Sequence, residues 1–213
     1  MSRQRALLVR RLSGLQDYRR TWESMRAFTD ARGPDTEDQL WLLEHPAVYT
    51  LGQAGRVEHL LHPGAIPVVH CDRGGQVTYH GPGQLIAYLL LDMRRSGLGV
   101  RRLVRLLEES VVALLAQRGI EPAVRADAPG VYVAGAKIAS LGLRVRRGCT
   151  YHGLALNVAM DLQPFRCIDP CGYPGLRVTQ LSDWIPDVSL ETVQDWLVGE
   201  LVRRLDRCAR ILK

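Results

Sequence analysis

The segment from 131 to 161, VYVAGAKIASLGLRVRRGCTYHGLALNVAMD, constrains the fold more than any other part of the chain. Apolar and polar residues alternate along both of its halves, on either side of an Arg147-Gly148 pair. A period of two is typical of a strand with one buried face, and a short turn between two such runs predicts an antiparallel hairpin. We therefore expect a sheet that contains this hairpin.

The rest of the chain alternates between helix and strand patterns. Apolar residues three and four positions apart predict helices at about 15–31, 100–118 and 190–209. Short apolar runs predict strands at 6–12, 39–45, 66–71 and 85–91. This order indicates an α/β (α+β) fold with a mixed, mostly antiparallel sheet flanked by helices. No composition shift marks a linker, so we expect one catalytic-size domain over 1–213, with at most a small lobe after about 175.

Composition excludes several classes of protein. The chain has 213 residues, of which 46% are hydrophobic and 23% charged, as in ordinary globular proteins. No apolar run approaches the roughly 18–20 residues that a membrane-spanning helix needs. Its N-terminus does not look like a cleaved leader. Five cysteines without regular spacing do not suggest a disulfide framework, so we expect free thiols and a cytoplasmic protein.

The net charge of +6 favours an acidic partner. The arginines occur in scattered pairs and are not interleaved with aromatic residues, which argues against nucleic acid. An acidic protein fits better, although a solvated arginine-rich surface without a partner remains an alternative.

The segment RGGQVTYHGPGQ (73–84) joins two predicted strands and contains four glycines. Glycines let backbone amides approach a ligand closely, so loops of this kind often hold a carbonyl, phosphate or carboxylate. It has neither a Walker sequence nor a GxGxxG fingerprint. We interpret it as a binding loop, with a plain connecting loop as the alternative.

One cysteine differs from the other four. Cys171 lies in DPCGYPG (169–175), where the prolines and glycines exclude regular structure, and an accessible thiol on such a loop can act as a nucleophile. By contrast, Cys71 and Cys208 follow apolar patterns and are expected in the core, and Cys149 is expected in an exposed turn. A metal site at Cys167 and Cys171 has no supporting histidine spacing.

Lys137 is unusual because only two of the 28 Lys and Arg residues are lysines. Within the predicted strand it shares a face with apolar residues, which directs its side chain inward. A desolvated lysine can exchange a proton near neutral pH, which a guanidinium cannot do. A thiol ordinarily ionises near pH 8.5 and needs a basic or cationic helper, so Lys137, His80 and His152 are candidates.

Four stretches resemble the lipoyl(octanoyl) transferases of lipoate biosynthesis. They run in the family's order, cover about 140 residues and show no departure at the key positions. The stretches are LLEHPAVYTLG (42–52), RGGQVTYHGPGQLIAY (73–88), GAKIASLGLRVRRGCTYHGLALNV (135–158) and PCGYPGLRVTQL (170–181).

This resemblance implies a two-step acyl transfer on the fold of lipoate and biotin protein ligases. An octanoyl group passes from octanoyl-acyl carrier protein to a cysteine of the enzyme, and then to a specific lysine of lipoyl domains of 2-oxoacid dehydrogenases or the glycine cleavage H protein. It implies no cofactor and no metal, and we expect a monomer without nucleic-acid or membrane partners.

The resemblance also assigns residues. Cys171 would carry the acyl thioester, and Lys137 would activate it and shuttle protons. The acyl group would be bound by Arg73, Gly74, Gly75, Gln76, Val77, Thr78, Tyr79, His80, Ser140, Leu141, Gly142, Gly153, Leu154 and Ala155. His80 and His152 could equally be substrate contacts or hydrogen-bonded structural residues.

Three alternatives remain. An ATP-dependent lipoate–protein ligase would have no use for a nucleophile at Cys171, and an octanoyl or lipoyl amidotransferase would carry its cysteine elsewhere. A basic nucleic-acid-binding module would leave Lys137 unexplained.

Overall fold

The computed structural model describes residues 6–206 and 208–212. Its helices are α1 (Tyr18–Asp30), α2 (Met93–Ser96), α3 (Val100–Ala116) and α4 (Leu190–Leu205). Its strands are β1 (Ala6–Leu15), β2 (Asp38–Glu44), β3 (Val48–Leu51), β4 (Val68–His70), β5 (Val77–His80), β6 (Gln84–Leu90), β7 (Pro122–Val124), β8 (Val131–Val133), β9 (Ala136–Arg146), β10 (Cys149–Asn157) and β11 (Cys208–Leu212).

Nine pairings among these strands give two sheets. The large sheet has the order β11-β1-β2-β6-β10-β9-β8-β7, and the small sheet has the order β4-β3-β5. Only β11–β1 and β1–β2 in the large sheet and β3–β4 in the small one are parallel. The fold is therefore a mixed, mostly antiparallel α/β fold flanked by helices, as the sequence patterns predict. Its predicted hairpin is β9–β10, and it turns at Arg147-Gly148 as expected.

Helices cover both faces of the large sheet, and side chains of β6 point alternately to one face and the other. Leu85, Ala87 and Leu89 join the core beneath α3 and α4, where they are at most 1% exposed. Ile86 and Tyr88 point to the opposite face, toward α1. Because α4 packs into the same core as α3, the residues after 175 do not form a separate lobe.

The last helix is shorter than predicted. The periodic pattern suggests a helix to 209, but α4 ends at Leu205 because Asp206 adopts a left-handed conformation, with φ of 51°. The next segment, β11, pairs in parallel with β1 at the edge of the large sheet. The placement of Cys208 on a helix was therefore wrong.

Three further predictions need correction. The first helix begins at Tyr18, because Leu15 is the last residue of β1 and is half exposed. The glycine-rich segment includes strand β5 and is not a loop throughout. Cys149 is buried, because the hairpin turn needs only two residues and the ladder already begins at this position.

Within the described residues, no helix is long and apolar enough to cross a membrane. The predicted cytoplasmic location stays a prediction.

Candidate active site

A cavity of about 410 Å³ lies between the two sheets. Its walls come from the glycine-rich segment, from β9 and β10, and from the first turns of α3. All but one of the predicted acyl-binding residues line it. These are Arg73, Gly74, Gly75, Gln76, Val77, Thr78, His80, Ser140, Leu141, Gly142, Gly153, Leu154 and Ala155.

Tyr79 is the exception. It alternates with Thr78 and His80 along β5, so its ring points away from the cavity. There it packs against Tyr49 and Phe165, with ring centroids 5.5 and 5.4 Å away. Its inclusion among the acyl-binding residues was wrong, and Tyr79 belongs to the core of the small sheet.

Lys137 lies in β9 with only 2% of its surface exposed, as the alternation predicts. Its backbone is fixed on both sides, because its N–H donates to the Arg177 carbonyl over 2.8 Å and its carbonyl accepts from Thr179 over 3.0 Å. Its Nζ donates to the Pro129 carbonyl over 2.9 Å and lies 3.1 Å from Cys171 Sγ. Regular strand structure thus delivers an ammonium group to a thiol 34 positions away in sequence.

Gly130 provides the space for this lysine. A Cβ there would lie 2.8 Å from Lys137 Cε and 2.7 Å from the Ala139 carbonyl oxygen. Gly130 also has φ of 140°, which side chains rarely allow. Any larger residue would therefore displace the lysine or the backbone of β9.

The Cys171 turn, which we define as Asp169–Tyr173, presents the thiol on irregular backbone. Cys171 has φ of 58° and ψ of 17°, a left-handed conformation that few residues other than glycine adopt. The Gly172 N–H donates to the Asp169 carbonyl over 2.9 Å, and the Tyr173 N–H donates to the Pro170 carbonyl over 3.1 Å. The half-buried thiol faces the cavity, which Lys137 itself does not line.

The Lys137 side chain has few polar neighbours besides the thiol. Lys137 has no carboxylate partner within the described part of the chain, and its Nζ meets only a carbonyl, the thiol and the face of Tyr132 at 5.4 Å.

The glycine-rich segment is held by Arg73, which is 8% exposed. Its guanidinium donates to the Thr50 carbonyl over 2.6 Å and to the Gly74 carbonyl over 3.0 Å. The Gly74 N–H in turn donates to the Leu143 carbonyl over 2.9 Å, which joins the segment to β9. These bonds close the cavity on the side of the small sheet.

His80 and His152 both line the cavity, and both are also held by protein groups. His80 Nδ1 lies 2.8 Å from Gln84 Oε1, and His152 Nε2 lies 3.2 Å from Asp72 Oδ1. Burial lowers the pKa of each imidazole, and Asp72 partly opposes this at His152. The mostly apolar cavity wall therefore carries uncharged imidazoles at these two positions at neutral pH.

Sequence reasoning missed His45 and Tyr88 beneath this wall. His45 Nε2 lies 2.8 Å from the Tyr88 hydroxyl, and burial lowers the pKa of His45 to about 4. Tyr88 lines the cavity, and burial raises the pKa of its phenol. A buried histidine directly after strand β2 was the available signal. Other missed lining residues are Tyr18, Ile86, Val100, Val104, Ala128, Pro129, Leu143 and Tyr173.

No group of three or more His, Cys, Asp or Glu side chains in residues 6–206 and 208–212 is arranged to hold a metal ion. At the edge of the mostly apolar cavity, the Lys137 Nζ and the Cys171 thiol lie 3.1 Å apart.

This chain is similar to lipoate-protein ligases and octanoyltransferases. Residues 17–202 match the family model of the lipoyl protein ligase A/B catalytic domain. An octanoyltransferase of Alkalilimnicola ehrlichii is 68% identical over 173 residues, which cover 81% of this chain and 80% of the relative. An octanoyltransferase of Pseudomonas putida is 62% identical over 193 residues, covering 91% and 90%. A crystal structure of lipoate-protein ligase A bound with ATP superposes with a TM-score of 0.77 at 18% identity, covering 99% of this chain and 89% of that one.

The chain belongs to the lipoyl protein ligase A/B catalytic domain family. Within it, the protein is an acyltransferase.

Proposed function

We propose that this protein transfers an octanoyl group from octanoyl-acyl carrier protein, through a thioester on Cys171, to a specific lysine of a lipoyl domain. The observation that carries the proposal is the 3.1 Å approach of Lys137 Nζ to Cys171 Sγ at the edge of the cavity. The names of the relatives support the octanoyl group, since they are octanoyltransferases.

In the first half-reaction, the Cys171 thiolate attacks the carbonyl carbon of the donor thioester. A new S–C bond forms, and the bond to the carrier thiol breaks. The leaving thiolate takes a proton from the Lys137 ammonium, so Lys137 becomes neutral. One thioester replaces another, and the step therefore needs no nucleotide.

In the second half-reaction, the acceptor lysine attacks the Cys171 thioester as a neutral amine. The amide N–C bond forms, the S–C bond breaks, and Cys171 leaves as thiolate. Neutral Lys137 takes the proton that the acceptor nitrogen loses, which restores the starting ammonium and thiolate. A lysine suits both steps because it can both give and accept this proton, which arginine cannot do.

The cavity gives the acyl chain an apolar site. Val77, Leu141 and Leu154 line it together with close-packed glycine backbone, and burial stabilises each methylene group by about 0.8 kcal/mol. We assign the lining residues of the glycine-rich segment, β9 and β10 to acyl binding. Since both sheets contribute to this one cavity, we treat the chain as a single catalytic domain.

The partners follow from charge and family. The net charge of +6 favours acidic carrier and lipoyl domains over basic ones. We propose octanoyl-acyl carrier protein as donor, with lipoyl domains of 2-oxoacid dehydrogenases and the glycine cleavage H protein as acceptors.

A two-stage experiment separates this activity from that of an ATP-dependent ligase. The protein is first incubated with octanoyl-acyl carrier protein, the donor is removed, and an unmodified lipoyl domain is added without ATP. We expect the octanoyl group to appear on the lipoyl domain, as read by its intact mass. Transfer from free octanoate with ATP, and none from the pre-loaded protein, would contradict the proposal.

A further inference from the structure

A histidine beside the Cys171 turn has no part in the chemistry described above. His59 Nδ1–H donates to Asp169 Oδ2 over 3.2 Å, and the Asp169 N–H donates to the His59 carbonyl over 2.9 Å. The two side chains are only 19% and 14% exposed. Two bonds therefore join residues that are 110 positions apart in sequence.

This pair contacts the Cys171 turn on both sides of the thiol. Asp169 accepts the Gly172 N–H over 2.9 Å, the bond that closes the turn around Cys171. The His59 ring also reaches Gly172, because a Cβ there would lie 3.4 Å from His59 Nε2. The imidazole thus fills the space behind the turn and fixes its first residue.

Cys171 needs such support because its left-handed backbone is unfavourable for a residue with a side chain. A conformation of this kind persists only where surrounding contacts determine it. Without the His59–Asp169 bonds, the turn can relax, and a small backbone rotation at Cys171 carries Sγ away from Lys137.

We propose that His59 is a positioning residue, which acts through Asp169 to keep Cys171 Sγ in contact with Lys137 Nζ. This inference rests on the proposed function, since the position of the thiol matters only if Cys171 is the nucleophile. His59 does not line the cavity, so its loss should slow thioester formation and leave the KM for the acyl donor unchanged.

The test compares His59→Phe with His59→Asn in single-turnover acylation by octanoyl-acyl carrier protein, read by intact mass. Phenylalanine fills the space of the ring but cannot donate, and a misplaced nucleophile should slow acylation about 100-fold. Asparagine places an amide nitrogen near the position of Nδ1, so it can still donate to Asp169 and should restore most of the rate. If Phe does not fold, Asp169→Ala removes the same bond from the other side.

His62→Ala is the matched control. His62 is exposed, and its side chain makes no hydrogen bond to the part of the chain that the structure describes. It lies three positions after His59, and the variant should acylate at the wild-type rate. A wild-type rate in His59→Phe would overturn the inference, and so would equal losses in His59→Phe and His59→Asn.

A double-mutant cycle distinguishes positioning from general damage. Lys137→Met should slow acylation much less in the His59→Phe background than in the wild type, because the contact with Cys171 has already been lost there. Independent, multiplicative losses would contradict the inference. If the wild-type protein itself takes up no octanoyl group, the proposed function fails; if it does and His59→Phe matches it, only the role of His59 fails.

Discussion

Lys137 and Cys171 meet at 3.1 Å, but they stand on opposite kinds of backbone. Lys137 belongs to a regular strand, is 2% exposed and is hydrogen-bonded through its main chain on both sides. Cys171 is half-buried on a short turn with a left-handed φ. Strand β9 holds the Lys137 ammonium rigidly, whereas the Cys171 turn leaves the thiol open to the cavity. The proposed function would use this asymmetry, because the thiol would have to reach two successive partner proteins while its proton partner stays in place.

The largest effect on transfer should come from substitution of Cys171. Cys171→Ala removes the proposed nucleophile, and we expect overall transfer to fall by roughly 10⁴-fold or more, as for other removed nucleophiles. Steady-state transfer to a lipoyl domain measures this. Cys167→Ala removes another half-buried free thiol four positions earlier and should retain activity. Comparable losses in the two variants would show that the distinction between these cysteines is wrong.

Substitution of Lys137 in β9 should slow transfer nearly as much, although for a different reason. Lys137→Arg keeps a positive charge but cannot exchange a proton, so we expect transfer to slow by about 10²- to 10⁴-fold. Lys137→Met, which has similar length and no charge, should lose a comparable amount. If the arginine variant turns over near normally while the methionine variant does not, Lys137 acts only through its charge.

A pH-dependent effect on stability should arise from His45, which is buried beneath the cavity wall. Burial holds the pKa of His45 at about 4, below its usual 6.5. Between these values the unfolded chain binds a proton that the native protein does not, so the free energy of unfolding falls as pH drops from 6.5 toward 4, by roughly 3 kcal/mol in all. His45→Gln should flatten this fall. Urea unfolding at several pH values measures it, and identical pH profiles would contradict the burial argument.

The smallest effect is the difference between two glycines, Gly130 beside Lys137 and Gly172 in the Cys171 turn. A Cβ at Gly130 meets a strand carbonyl at 2.7 Å, whereas a Cβ at Gly172 meets only side chains, at 3.4 Å. We expect Gly130→Ala to lower the free energy of unfolding by about 3 kcal/mol and Gly172→Ala by about 1 kcal/mol, mostly from its positive φ. Urea unfolding at pH 7 gives both values. A larger loss of unfolding free energy in Gly172→Ala than in Gly130→Ala would mean that the Cys171 turn is more rigid than the surroundings of Lys137.

The same contrast explains what the sequence could predict. Alternation of apolar and polar residues predicted the β9–β10 hairpin and the inward direction of Lys137, because strand periodicity is a local property. Pro170 and Gly172 predicted irregular backbone at Cys171, also from local chemistry. The 3.1 Å contact between Lys137 and Cys171 could be expected only from the family resemblance, since it depends on the pairing of Lys137 with Val178.

Other features depended on tertiary context and were missed. Tyr79 was assigned to acyl binding with its neighbours, although strand parity turns it into the core of the small sheet. The β11 pairing with β1 could not be read from the end of a helix-like pattern. The His59–Asp169 bonds join distant segments and leave no mark on local periodicity.

Intact mass spectrometry after incubation with octanoyl-acyl carrier protein tests the central claim most directly. We expect the wild-type protein to gain the mass of one octanoyl group, hydroxylamine to remove it, and peptide mapping to place it on Cys171. The adduct should persist in Cys167→Ala and be absent from Cys171→Ala. An adduct that survives the loss of Cys171, or a wild-type protein that transfers octanoyl groups without ever carrying one, would contradict the account.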